Sequence, residues 1–157
     1  MKIFKDKLTT DDLVLISMLN FPNGVIGEET LHRFIYNLTE FPEFKSYRKY
    51  LNFETSTECV FSTFIHRSIE ANTKHLKKIS DPEFKRQDVQ SFAMFSDELR
   101  ELYWDVFNKE RKFSEYIPDY YPKVFFLSNE GKSIASLVAK EKLNDKQKKL
   151  IRTLANL

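Results

Sequence analysis

Across residues 96–140 the spacing of apolar residues changes twice, and that change limits the fold more than any other stretch of the chain. Leu99, Leu102, Tyr103, Val106 and Phe107 recur at three and four residues, the period of one helix face. Ser96 offers an N-cap hydroxyl, and Asp97 and Glu98 suit the positive end of the helix dipole. Residues 112–117 and 123–127 are then rich in β-formers, and Pro118, Asp119 and Pro122 between them favour a turn. Ser128 caps again with Glu130 just inside, and Ile134, Leu137 and Val138 make the next apolar face. Gly131 in that first turn leaves room for the preceding strand. Helix, hairpin, helix is the predicted order. With only three glycines in 157 residues there are few forced turns, so helices on short loops are favoured over an all-β plan.

Upstream, Thr10 is read as the cap of a helix over 10–20, with Leu13, Ile16 and Leu19 buried and Asp11 and Asp12 in its first turn. Phe21-Pro22-Asn23-Gly24 ends it, and Val25-Ile26 is a very short strand. Gly27 and Glu28 lead into a second helix whose inner face is Leu31, Phe34, Ile35 and Leu38. Residues 41–53 interleave aromatics with bases, a pattern that serves either base stacking or the edge of a core. From Ser56 to about Ile79 one long central helix is expected, because Val60, Phe61, Phe64, Ile65, Ile69 and Leu76 cover a broad arc. Asp81-Pro82-Glu83 reads as a helix restart, and Asn144 or Asp145 caps a last helix. There Leu150, Ile151, Leu154 and Leu157 form the apolar arc. The expected fold class is mainly α with one β-hairpin, one domain over 1–157 with a helical middle over 55–95 and a basic C-terminal helix over 145–157.

A net charge of +2 is too small to argue nucleic-acid binding from the total, but its distribution is uneven. Over 132–157 seven bases stand against two acids, so this segment carries +5 and the remainder −3. Lys132, Lys140, Lys142, Lys146, Lys148, Lys149 and Arg152 are the candidate nucleic-acid contacts, extended by Arg111, Lys112 and Lys123 at the hairpin. Lysines on terminal helices also serve solubility alone. Asp97, Glu98, Glu101 and Asp105 share the polar side of the 96–110 helix with Trp104 at its margin. Acids on a solvated helix face seldom catalyse, so Asp97, Glu101, Trp104 and Asp105 are candidates for binding a protein partner rather than for catalysis.

Nothing in the chain carries a catalytic signature, and no cofactor is expected. Three glycines leave no room for a phosphate-cradling loop or a nucleophile elbow. His32, His66 and His75 do not pair at helical spacing, and Cys59 and His66 are read as lying on opposite sides of the 56–79 helix, so no metal is expected. One cysteine excludes an internal disulfide and fits a reducing cytoplasm. No apolar run approaches the roughly 20 residues that span a bilayer, and the first residues lack the pattern of a signal peptide.

Phe95-Ser96-Asp97-Glu98-Leu99, followed by Phe125-Phe126-Leu127-Ser128-Asn129-Glu130-Gly131-Lys132, resembles a winged-helix pattern of a capped helix and an aromatic strand ending in L-[ST]-x-x-G-[KR]. The opening, Leu13-Val14-Leu15-Ile16 and then Leu31-His32-Arg33-Phe34-Ile35-Tyr36-Asn37-Leu38, is similar to the start of the YwgA-like phage-associated proteins. The resemblance covers both ends and not the middle. It implies a winged-helix fold and a mobile-element, antiviral-defence or regulatory setting, and it carries over no catalytic residue. Two functions follow as expectations: a non-enzymatic winged-helix regulator touching nucleic acid through its basic C-terminal patch, or a protein-binding accessory subunit, antitoxin or inhibitor. A protein partner is expected, nucleic acid and self-association are compatible with the sequence, and no membrane is involved.

Overall fold

The computed structural model describes residues 7–22, 24–55, 59–79, 96–111 and 123–157. The fold is mostly helical α+β. The first helix, α1 (Thr10–Leu19), is capped by Thr9, one residue earlier than expected. Thr9 Oγ1 accepts from the Asp12 N–H at 3.1 Å, and the Asp12 carboxylate accepts from the Thr9 N–H at 3.0 Å. Only Thr9 stands three residues before that acid, so the reciprocal capping box selects it. Leu13 through Met18 are buried without a break. A helix that is apolar on all sides belongs in the middle of a core. α1 fills that position.

β1 (Val25–Gly27) leads directly into α2 (Glu28–Leu38). The N-cap residue Gly27 has no side chain to cap with, and a carboxylate from elsewhere takes that place. Glu110, 81 residues on and nearly fully buried, accepts from the Glu29 N–H at 2.9 Å. A Cβ on Gly27 would collide with the Glu110 carboxylate, so the glycine is what lets the acid in. After α2 comes a 3₁₀ turn (Lys45–Tyr47) and the short α3 (Arg48–Leu51). Phe44 and Leu51 are fully buried, Tyr47 Oη accepts from the Leu8 N–H, and Arg48 lies over the Tyr36 ring at 4.1 Å. These side chains of the aromatic–basic stretch therefore serve the edge of the core.

The expected long helix over 56–79 is not formed. β2 (Glu54–Thr55) and β3 (Val60–Phe61) pair antiparallel, α4 (Thr63–Ala71) follows, and β4 (Leu76–Ile79) is a strand. Ser62 makes the break: its hydroxyl accepts from the Ile65 N–H and donates to the Leu51 carbonyl at 2.8 Å, fixing a helix start there. Asn72 closes α4 by bonding back to the Ser68 carbonyl at 2.7 Å. Asp11 of α1 accepts from both Ser68 and Asn72, tying the two helices together. Phe64, read as buried, is exposed.

α5 (Ser96–Glu110) has the bounds and the inner face read from the sequence. β5 (Val124–Leu127) also forms, with β1 on one edge and β4 on the other, both antiparallel. The run 112–117, read as its hairpin partner, lies outside the described residues, as does the restart at 81–83; both edges of β5 are filled by β1 and β4. On the outer edge of the sheet β4 shows solvent Lys77 and Lys78, charges that discourage further strand pairing. One face of the sheet, with Ile26, Leu76, Phe125 and Leu127, joins the α1 core. The other, with Val25, Val124 and Phe126, packs on Leu99 and Tyr103 of α5.

α6 (Asn129–Lys142) is capped by Ser128, whose Oγ accepts from the Gly131 N–H at 3.0 Å. Its inner face is rotated from the expected one: Gly131 and Ala135 are buried, whereas Ile134 and Leu137 are exposed. Small residues allow the closer approach, and a Cβ at Gly131 would meet the His75 carbonyl. α7 (Asp145–Ala155) begins at Asn144 with a full capping box to Gln147. Ile151 and Ala155 are buried, but Leu157 lies past the helix end and is 94% exposed, outside the apolar arc.

Candidate functional site

The seven C-terminal bases do not gather as one patch. α6 and α7 are joined by Leu143 and Asn144, and the cleft between them opens a cavity of about 290 Å³ beside the end of α1. Lys140, Lys148 and Arg152 line it, over an apolar floor that includes Leu19, Ala139, Leu143 and Ile151. Lys146 and Lys149 are exposed on the outer side of α7. Lys142 points the other way and is committed: its Nζ is 2.7 Å from Asp12 Oδ2, holding the end of α6 to the start of α1. Lys132 stands in the first turn of α6, about 15 Å along the axis from Lys142. At the expected extension, Arg111 lies over the Phe107 ring at 5.4 Å, Lys123 is ion-paired with Glu70, and Lys112 falls outside the described residues.

The acidic face of α5 is where the sequence put it. Asp97, Glu101, Trp104 and Asp105 are all exposed, and Asp97 makes a 3.4 Å contact with Arg100. Trp104, 40% exposed, stands edge-on to Tyr103 and Phe107 at 5.2 and 5.5 Å. It covers the rim of the small cluster under α5 and still presents part of its indole to solvent.

A third group was missed in the sequence. Glu28, in the first turn of α2, is fully buried and receives His66 Nδ1 of α4 at 2.9 and 3.1 Å from its two oxygens. Glu70, one turn beyond His66, is half exposed and pairs with Lys123. One ligand-type atom from each of Glu28, His66 and Glu70 lies within 4.8 Å of the other two. His32 backs Glu28: its Nδ1 accepts from the Ser62 N–H at 2.9 Å, so the neutral ring carries its proton on Nε2, 3.8 Å from Glu28 Oε2. Burial, with the nearby His66 adding to it, lowers the His32 pKa to about 3, and the ring stacks on Phe61 at 5.1 Å.

Spacing between histidines, or between Cys59 and a histidine, does not reveal this group, because its other two members are glutamates. A search for Glu and His four apart finds Glu28 with His32 as well as His66 with Glu70; nothing in the sequence says that the two pairs, 38 residues apart, meet. Cys59 is not on a helix but precedes β3, and seven residues is nearly two helical turns, which would have put it on the same side as His66 in any case. Burial, then Glu29, raises the Cys59 thiol to about 11, so it is an inert core group.

Among the described residues no helix is long and apolar enough to cross a membrane. Comparison with the profiles of known protein families, with curated proteins and with solved structures gave no match to this chain.

Proposed function

We propose that the chain is a non-enzymatic regulatory or accessory protein of winged-helix type that rests on a nucleic-acid backbone through the groove between α6 and α7. The observation that carries this reading is the meeting of Lys140, Lys148 and Arg152 on one groove. Bases so placed neutralise phosphates and release counterions, which gives affinity with little reading of sequence. The winged-helix assignment is supported by the helix–strand–helix opening and by a sheet in which β5 lies between β1 and β4. An inert, buried single thiol suits a reducing cytoplasm. The test is a salt titration of binding to a mixed-sequence duplex. The log–log slope should be roughly −0.9 per phosphate contact, and Lys140→Glu/Lys148→Glu/Arg152→Glu should flatten it by about 2–3. Equal slopes, or no binding at low salt, would remove the reading.

A second reading, a protein-binding accessory subunit, antitoxin or inhibitor, is favoured by Trp104. A half-exposed indole held in place by two aromatic neighbours is a good anchor, and Asp97, Glu101 and Asp105 around it would steer a basic partner. Trp104→Ala with Glu101→Lys should abolish co-purification of that partner while leaving duplex binding intact.

A further inference from the structure

We propose that Glu28, His66 and Glu70 form a binding site for one divalent transition-metal cation, of the zinc or manganese class, that clamps α2 to α4. The three donors converge from two helices. His66 and Glu70 are four apart on α4 and therefore share a face, and that face meets the first turn of α2, where Glu28 sits. A metal held at about 2.0–2.2 Å by each ligand brings donor atoms to roughly 3–3.5 Å from one another. Glu28 and His66 already stand at that separation, 2.9 and 3.1 Å. Only Glu70 has to close, which its half-exposed side chain does by leaving Lys123 and turning about its own torsions.

Charge and surroundings point the same way. The Glu28 carboxyl group has no exposure to water, and a buried carboxyl group is held by hydrogen bonds or by a cation beside it. Two carboxylates and a neutral imidazole carry −2, which a divalent ion cancels. Lys123 now supplies the positive charge at Glu70, so it competes with the metal and is displaced by it. The His32 ring behind Glu28, oriented by the Ser62 N–H, is the second layer of support that metal-binding carboxylates commonly have. One nitrogen and two carboxylates suit zinc or manganese. They do not suit magnesium or calcium, which favour all-oxygen cages, or copper(I), which favours sulfur.

The test is calorimetric titration of the full chain, first dialysed against a chelator, with ZnCl2, MnCl2 and MgCl2 in turn. Saturation at one zinc or manganese ion per chain is expected, with no comparable binding of magnesium. Glu70→Gln alters a half-exposed side chain and should stay folded by circular dichroism, and His66→Ala, which takes the partner from buried Glu28, should lose some stability, yet each should weaken the affinity at least tenfold. Lys123→Ala should keep the site and tighten it. No saturable binding, equal affinity in His66→Ala, stronger binding of magnesium, or loss of binding in Lys123→Ala would each overturn the proposal. Because none of these variants touches the α6–α7 groove, the duplex titration and the metal titration fail independently.

Discussion

The two faces of the β1–β5–β4 sheet are covered in different ways. On one side lies α1, apolar all round and enclosed by α2, α4, α6 and the sheet itself. On the other lies α5, which has a single apolar face and a separate small cluster of five buried residues, Val25, Leu99, Tyr103, Val124 and Phe126. The difference teaches that one sheet can serve a core and a docked helix at once. The α1 core shares no buried residue with the α5 cluster, whereas α2, α4, α6 and β5 all pack directly on α1. On the α5 side the Glu110 carboxylate makes a polar tie to the start of α2.

The largest effect that would break this comparison is in α1. Ile16→Ala should cost about 2–5 kcal/mol in denaturant unfolding, near the upper end because α1 is packed on every side and the cavity cannot collapse. Leu99→Ala, equally buried, should cost about 2–4 kcal/mol. It should also accelerate amide exchange in α5 ahead of α1, and uniform exchange across both helices would mean that the two layers open together. Next comes the acid limb of stability. His32 lies on α2, facing Glu28 and His66, and its folded pKa of about 3 is below the ordinary 6.5. The unfolded chain therefore binds the extra proton between those values, so stability is full above about pH 6.5 and falls as pH drops toward 3. His32→Asn, which keeps an acceptor for the Ser62 N–H, should flatten that fall.

Smaller still is Gly27→Ala, about 1–3 kcal/mol through its clash with Glu110. The penalty should shrink in a Glu110→Ala background, a coupling read by a double-mutant cycle. Equal penalties in both backgrounds would show that the tie between α5 and α2 is not what the glycine protects. Trp104→Ala should change stability least, by about 0.5–1.5 kcal/mol, the worth of its edge-on ring contacts.

What was legible in the sequence follows the same division. α5 could be read to its bounds because its pattern is local: one apolar face and acids in the first turn. The caps at Ser128 and Asn144 were legible for the same reason, since a short polar side chain and its target lie within one turn. α4 was not. Its neighbours Val60, Phe61 and Leu76 fit a helical period, and the decision against it is made by distant groups, the Leu51 carbonyl on Ser62 and the β5 backbone along Leu76–Ile79. The apolar face of α6 was misjudged because large residues were assumed to point inward, whereas close packing selected Gly131 and Ala135. At the candidate sites the bases could be counted but not placed: Lys142 is taken by Asp12, and nothing in its sequence neighbourhood says so. Glu28 and His66 meet only through the packing of α2 on the β3–α4 segment.

The central position of β5 has a consequence for how the chain reaches this state. β5 is the strand both other strands pair with, and it is the last of the three to be synthesised, roughly 100 residues after β1. A nascent chain that stops short of Leu127 has β1 and β4 but no strand to join them, and the α1 surface that meets Phe125 and Leu127 stays uncovered. Pairing of β5 with β4 closes the shorter loop, whereas pairing with β1 has to close the full span, a non-local contact of the kind that slows folding. Ribosome-bound intermediates truncated before β5 should therefore be the species that chaperones hold, and release should track the emergence of Val124–Leu127 from the exit tunnel.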